Sequence, residues 1–595
     1  MYGLDKSRLF EDPILCGLCK SIISVFSETF LSLDAVKMFQ VINYLQNSYK
    51  LDYEESWQWG YKEIEILVDG LKKKTFNPNY LCEITLPLCK KEHFKMQTRE
   101  SYAERILSDK PKFIKNDDFI DNLYKRIMNL QNQGRGRQTI TVHHFSDFHL
   151  DYEYVAGESN SCKKLVCCRS NLVPTPESHK ERAGKWGDYR CDTNPKMMEK
   201  LTSALKSVKK PAFTIWTGDN TDHGFHKNSR IATKASMEIT KYFKKNFPEA
   251  VVFGIHGNHE IGPMSLQNFK EGADEAMKIL AETWKDWMSP HAYKEYKDKS
   301  YYSMLLSEHP KAPKFLKNML RNVRLIGYNS ETCDIYNKYI VGEMGDSLQQ
   351  LEWLEGVLKH MEQNCEIGIF FSHISPGMDG CFSENSARIQ ALMDRYQHVI
   401  RLNLFGHTHQ EEYEIIRSVK NRKPIGVNHL VPSFTTINNQ NPSFRVFTLD
   451  AQTLIPLSIE TYTFDLQKAN QDDKFAVFER NHEMTQEYNM RDLSPSSFYE
   501  LSQKFQVNET LASKYLVNKN AGAIDYVQIF NLIPYKFGTY LNFTIKNNLK
   551  PISCSTSNSV YSDTRKCYQW QDLTGHYEVR SYVYDFLYGY WVDQV

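Results

Sequence analysis

Apolar and polar positions along this chain follow two different periods, and the change between them divides it. From Ile14, the apolar residues Leu15, Leu18, Ile22, Val25 and Phe26 recur at helical spacing, and Val36, Phe39, Ile42 and Leu45 repeat the pattern in the next segment. Further helices are predicted over 54–71 and 79–89, so residues 1–90 read as a separate all-α module. Residues 91–138 are polar and mildly basic, with Gly-Arg-Gly-Arg at 134–137. They read as a linker whose helical part, over 119–130, packs on a neighbouring domain. From Thr139, short β-forming runs alternate with helical stretches, the texture of a layered α/β domain. Beyond Asp450 that texture fades, and 466–550 is rich in Tyr, Phe, Asn and Lys, with helices predicted around 473–490 and 497–515. The division is therefore 1–90, 91–138, 139–465 and 466–595. The last is a helical C-terminal subdomain whose aromatics at 535–537 and 582–591 read as core.

Five apolar runs within 139–465 end alike. The run from Thr139 delivers Asp147 and His149, and 212–216 ends in Gly218-Asp219. The run 250–255 ends in Gly257-Asn258-His259-Glu260, 367–371 in Ser372-His373, and 402–405 in Gly406-His407-Thr408-His409. Each places Asp, Asn or His just past a strand, where layered α/β folds put their ligands. The seven candidate metal ligands are Asp147, His149, Asp219, Asn258, His373, His407 and His409. Imidazole with carboxylate suits Zn²⁺, Mn²⁺ or Fe rather than Ca²⁺. Seven donors are too many for one tetrahedral zinc but suit two metals that share a carboxylate. Such a pair, about 3.5–4 Å apart, clamps a phosphoryl group and holds a hydroxide between its members.

Charge and cysteines add the setting. The net charge of +1 implies no broad nucleic-acid surface. No uninterrupted apolar window of about 18 residues occurs, so no transmembrane helix is predicted. The opening MYGLDKSRLFEDP lacks the basic start and apolar run of a signal peptide. Twelve of the thirteen cysteines fall into local groups, which favours disulfides in an oxidising compartment over zinc ribbons. A processed chain, its leader removed, is therefore expected. The C-x-x-C helix at Cys16 and Cys19 and the later Cys82 and Cys89 suggest nested bridges, Cys16–Cys89 and Cys19–Cys82. Cys333 with Cys381 and Cys554 with Cys567 are further pairs. Cys162, Cys167 and Cys168 precede Cys191. Cys365 is left over beside an apolar strand, and is expected as a buried free thiol. Asn508-Glu-Thr and Asn542-Phe-Thr are N-glycosylation sequons, which fit a secretory route.

The ordered set D-x-H, GD, GNHE, H and GHTH, spread from Asp147 to His409, resembles the calcineurin-like metallophosphoesterase superfamily. The resemblance implies a two-sheet β-sandwich flanked by helices. It also implies that Asp147, His149, Asp219 and His409 hold one metal and that Asp219, Asn258, His373 and His407 hold the other, Asp219 bridging. The N-terminal cysteine order with apolar helix faces resembles a saposin-type domain, a helical fold that opens an apolar surface to lipids. Its usual third, central bridge has no counterpart, because no cysteine lies between Cys19 and Cys82. More of the chain resembles the acid sphingomyelinase family: Trp186-Gly-Asp-Tyr189 before Cys191, His373-Ile-Ser-Pro-Gly377, Gly406-His-Thr-His-Gln-Glu-Glu-Tyr413, Val431-Pro-Ser433, Asn441-Pro442 and Arg445-Val446. That resemblance implies the bridges Cys162–Cys167 and Cys168–Cys191 beside the Cys333–Cys381 and Cys554–Cys567 pairs.

What the family resemblance implies for function is hydrolysis of sphingomyelin to ceramide and phosphocholine with two Zn²⁺ per chain, in lysosomes or outside cells. The chain would be a monomer that meets membrane lipid peripherally through its saposin-type domain, with no nucleic-acid partner. Relatives without that domain cleave nucleotides and other soluble phosphodiesters, which is the alternative. A lipid-transfer protein that merely keeps the scaffold is a third reading, and the intact seven-donor set speaks against it. In-line attack by a hydroxide held between the metals would expel a ceramide alkoxide that needs a proton. His223 and His259 match the family's catalytic positions, as phosphate binders and proton donors, and the residues alone do not say which donates. Asp222 reads either as a carboxylate tuning His259 or as a solvated turn residue. His143, His144, His226 and His256 carry no assignment.

Overall fold

A computed structural model describes residues 13–31, 82, 89, 99–133, 136–162, 164–170, 172, 182–269, 274–340, 346–377, 380–523, 545–560, 563, 564 and 567. The predicted helices over 36–45 and 54–71, most of 79–89, the sequon at Asn542 and the aromatics at 535–537 and 582–591 lie outside the described residues.

Among the described residues, twelve strands form the main body: β1 (Thr139–Phe145), β2 (Phe213–Trp216), β3 (Val252–Gly254), β4 (Tyr302–Leu305), β5 (Val323–Gly327), β6 (Ile367–Phe371), β7 (Ile400–Phe405), β8 (Glu412–Arg417), β9 (Pro424–Leu430), β10 (Ser443–Asp450), β11 (Pro456–Phe464) and β12 (Phe478–Glu483). They make two six-stranded sheets, ordered β12-β11-β10-β1-β2-β3 and β4-β5-β6-β7-β9-β8. In the first, β1, β2 and β3 run parallel and β10 joins β1 antiparallel. In the second, β5, β6, β7 and β9 are parallel. The C-terminal ends of five parallel strands, β1, β2, β3, β6 and β7, therefore carry the five loops that the apolar runs single out.

The reason these runs become inner strands is burial on both faces. β1 is buried at every position after Thr139, so it needs a near-continuous apolar reading rather than alternation. Its one-residue polar exceptions, His143 and His144, are core residues. His143 Nε2 meets the Lys209 carbonyl at 2.9 Å and His144 Nε2 the Thr217 hydroxyl at 3.0 Å. Burial lowers the His143 imidazole to about 4 and pushes His144 well below its usual range. Phe148, Trp216, Phe243 and Trp284 pack as an aromatic cluster beneath the loops, with Phe148 and Trp216 edge to face at 5.6 Å. Tyr302 of β4 donates its hydroxyl to the Gly254 carbonyl of β3 at 3.0 Å, which ties one sheet to the other.

The 91–138 stretch is more than a tether. Its helices Arg99–Leu107 and Phe119–Asn132 bury Tyr102 and Ile106 beside Leu392 and Tyr396, and Ile120, Tyr124 and Ile127 in the main core. Helix Pro13–Leu31 carries the nested bridges: Cys16 is bonded to Cys89 and Cys19 to Cys82. The other four bonds are Cys162–Cys167, Cys168–Cys191, Cys333–Cys381 and Cys554–Cys567.

Three expectations are corrected. Strand texture does not fade at Asp450: β11 follows directly, and β12 continues the first sheet past residue 465. Residues 473–490 accordingly form a 3₁₀ turn, β12 and a four-residue helix rather than one long helix. The signal is hidden because β12 is an edge strand with exposed Glu479, Arg480 and Asn481 in mid-run, polar residues that keep such edges from pairing further. Cys365, expected buried, is exposed. It sits at positive φ in the turn between helix Gln350–Gln363 and β6, where the chain reverses in solvent.

The late strands are locked by an internal ion cluster. Arg445 of β10 pairs with Glu411 at 3.1 Å, and His482 of β12 reaches the same oxygen at 2.9 Å. Thr461 of β11 donates to the other oxygen at 2.6 Å. Against its burial, Arg445 and His482 hold the Glu411 carboxyl at about 2. Arg445→Met is expected to cost about 3–5 kcal/mol, because it strips a buried carboxylate of its main counter-charge; chemical denaturation reads this directly.

Candidate metal centre

Strand ends alone would not converge seven donors; left-handed backbone turns do. Asp147, His149, Asp219, His407 and His409 all have positive φ, between 38 and 75°. Non-glycine residues rarely adopt this region, and it concentrates where strain is held for function. Gly406 permits the close approach of two loops: a Cβ there would lie 2.0 Å from Ser146 Oγ and 2.6 Å from Asp147 Oδ2. The amide of His407 donates to both Asp147 oxygens at 3.1 Å, a contact that requires this approach. Gly406→Ala is therefore expected to weaken metal binding by about 10–100-fold, as loss of a ligand's supporting contacts does; calorimetric titration of the metal-free protein measures it.

The donors fall into two adjoining groups. Asp147, His149 and His409 present ligand atoms within 4.8 Å of one another, and so do Asp219, His373 and His407. Asp219 Oδ2 lies between them, 3.0 Å from His373 Nε2 and 3.7 Å from His149 Nε2. Asn258 Oδ1 meets His407 Nδ1 at 3.1 Å. All seven predicted donors are thus brought to one place.

Two backbone carbonyls set the imidazole tautomers. Thr221 O accepts from His149 Nδ1 and Thr217 O from His373 Nδ1, each at 2.7 Å. The Nε2 atoms are left to face inward, as in metal sites where the second nitrogen is anchored. Glu260, the last residue of Gly-Asn-His-Glu, is buried behind Asp219. It accepts from the amides of Asp219, Asn220 and Gly257 at 2.7–3.0 Å and so fixes the strained turn.

The electrostatics fit cations. Burial lowers His407 to about 3 and holds His149 and His409 well below their usual range, so these rings are neutral, the form that binds metal. His149 Nε2 then points its lone pair at His409 Nε2, 3.1 Å away. Burial lifts Asp147 to about 7, while His373 and His259 outweigh burial and keep Asp219 well below the usual carboxylate range. Against its own burial, His373 is raised to about 9 by Asp219. Converging lone pairs and crowded carboxyls of this kind suit a pair of divalent ions, which would be held by these seven residues.

Beside the donors stand His223 and His259. His223 stacks on His149 with centroids 4.0 Å apart and meets His259 edge to face at 4.6 Å. The sequence reading missed the partner of His223, which is Asp192: Oδ1 lies 2.7 Å from His223 Nδ1, and Oδ2 accepts the His223 amide at 2.7 Å. Nothing local marks Asp192, which directly follows Cys191 of the Cys168–Cys191 disulfide. Asp222 fits neither suggestion made for it. It is half-buried and paired with Arg169 at 2.8 Å, while His226 stands 3.4 Å away. His256 is a core histidine on the Tyr296 hydroxyl at 3.1 Å.

Residues 140–411 match the family described as calcineurin-like phosphoesterase, and 423–520 match the acid sphingomyelin phosphodiesterase C-terminal region. Among curated proteins, the chain is 28% identical to sphingomyelin phosphodiesterase B of Dictyostelium discoideum over 64% of its length. It is 28% identical to sphingomyelin phosphodiesterase 2 of Caenorhabditis elegans over 64%, and 28% identical to the sphingomyelin phosphodiesterase of Bos taurus over 60%. The matches span 59, 64 and 56% of those relatives, less than two thirds of each.

Proposed function

Because residues 140–411 match the calcineurin-like phosphoesterase family and 423–520 match the acid sphingomyelin phosphodiesterase C-terminal region, we infer that this chain is a zinc-dependent phosphodiesterase that hydrolyses sphingomyelin to ceramide and phosphocholine. The observation that carries the reading is the seven-donor centre with a carboxylate-anchored histidine at its edge. When bound, two Zn²⁺ ions would neutralise the phosphodiester's charge and activate a water as nucleophile. The water oxygen adds to phosphorus opposite the ceramide oxygen, and the bond from phosphorus to that oxygen breaks.

The leaving alkoxide must take a proton. His223 is assigned that role. Its Nδ1–H is committed to Asp192, so Nε2 carries the transferable proton, and Asp192 outweighs burial in raising the imidazole above its ordinary value. His259, lowered to about 3 by burial, is neutral and positions a phosphate oxygen instead.

Access to lipid is assigned to the saposin-type segment. On helix Pro13–Leu31, Leu18, Ile22 and Val25 are exposed on one helical face, 52–64% each, an apolar stripe suited to a bilayer surface. Six disulfides suit a lysosomal or extracellular location. Asn508 is exposed and caps helix Glu509–Lys519 through its side-chain oxygen, on Leu511 N at 3.0 Å. That leaves its amide nitrogen outward for a glycan. A deglycosylation shift on gels is expected for the secreted chain and should shrink in Asn508→Gln.

The substrate reading is tested by phosphocholine release from sphingomyelin vesicles beside hydrolysis of a nucleotide diester. Faster turnover of the lipid is expected. Turnover of the nucleotide alone would overturn the lipid assignment and leave the phosphodiesterase one standing.

A further inference from the structure

The loop bearing His223 is gripped from two sides, and the second grip is a guanidinium that the chemistry leaves unused. Arg169 Nε donates to both oxygens of Asp151 at 2.9 and 3.1 Å. Its Nη2 donates to Asp222 Oδ1 at 2.8 Å, and Nη1 stands 3.5 Å from Glu153. Each guanidinium nitrogen thus faces a protein carboxylate, which argues against a role in holding the substrate's phosphate. Asp222 Oδ1 also accepts the Gly224 amide at 2.8 Å, closing a tight turn with His223 at its centre. The same turn aims both the amide and Nδ1 of His223 at Asp192.

Arg169 and Asp192 are neighbours in a further sense. Each is the residue directly after one end of the Cys168–Cys191 disulfide. The strand-1 loop is drawn into the same assembly, since the Asp151 amide donates to Thr193 O at 3.0 Å. One cross-link therefore anchors both groups that hold the Asp222–Gly224 turn.

We propose that Arg169 is a positioning residue for proton delivery: by drawing Asp151 and Asp222 together it keeps the turn closed and His223 seated on Asp192, with Nε2 free for the leaving group. Without the guanidinium, Asp151 and Asp222 repel, Asp222 keeps only the Gly224 amide and His226, and the turn loosens. This rests on the phosphodiesterase reading and on His223 as the donor.

The test compares leaving groups, because proton delivery matters for an alkoxide and not for p-nitrophenolate. Wild type, Arg169→Lys, Arg169→Gln, His223→Gln and the Arg169→Gln/His223→Gln double variant are prepared as full-length, metal-loaded protein, with thermal melting as a control for folding. Each is assayed on p-nitrophenyl phosphocholine and on an alkyl diester. The alkyl diester is sphingomyelin in detergent or, if wild type does not cleave it, a nucleotide diester. The substrate reading can thus fail while the Arg169 comparison proceeds. In Arg169→Gln we expect kcat on the alkyl ester to fall at least tenfold, with KM and the p-nitrophenyl rate within about threefold of wild type. Arg169→Lys should fall between, and the double variant should be no worse than His223→Gln. Equal losses on both esters, or losses that multiply in the double variant, would overturn the proposal.

Discussion

Asp219→Asn should abolish turnover while leaving the protein folded. The amide keeps the shape of the side chain and can still accept the His259 amide, which now lies 2.8 Å from Asp219 Oδ1. What it loses is the charge at the oxygen between His373 Nε2 and His149 Nε2. If each ion contributes several kcal/mol of charge stabilisation, at about 1.4 kcal/mol per tenfold, loss of even one ion slows the reaction by about a thousandfold. The measurement is kcat beside metal content. Fewer bound ions with an unchanged fold is the expected pairing, and full metal content with near-normal rate would show that Asp219 does not bridge.

The second large effect falls on proton delivery. His223→Gln is expected to lower kcat on sphingomyelin by about 10²–10⁴-fold, the range for removing a general acid. Asp192→Asn should approach the same loss although it touches no substrate. An amide at that position cannot favour the tautomer in which Nδ1 donates and Nε2 holds the transferable proton. The two losses should not multiply, because both disable one unit. Steady-state rates of the two single variants and the double variant decide this, and multiplied losses would separate Asp192 from the proton path.

The cluster of candidate donors is legible in the sequence, and its neighbours are not, for a physical reason. Asp147, Asp219, Asn258, His373 and His407 each follow an apolar run, and a strand buried on both faces has to be written as such a run. Strand endings therefore expose the donors to a reader of the sequence. The late strands lack that signature. β11 is half-exposed along much of its length and β12 is an edge with three exposed polar residues in mid-strand, so neither stands out from loop. Contacts made through a disulfide are more hidden still. Asp192 and Arg169 reach the His223 turn from 31 and 53 residues away, and no local pattern predicts that. Asp222 is hidden for the same cause, its partner Arg169 being the residue after Cys168 of the Cys168–Cys191 bond. Cys365 shows the limit of inferring burial from a neighbouring strand, since one residue of left-handed turn is enough to face it outward.

The most direct measurement is the metal content of purified, fully active, full-length protein, followed by chelation and stepwise readdition of zinc. Two ions per chain at full activity, activity lost with the ions and regained as two equivalents return, is the expected result. Full activity with no bound divalent ion, or with a single one, would contradict a paired centre built from Asp147, His149, Asp219, Asn258, His373, His407 and His409.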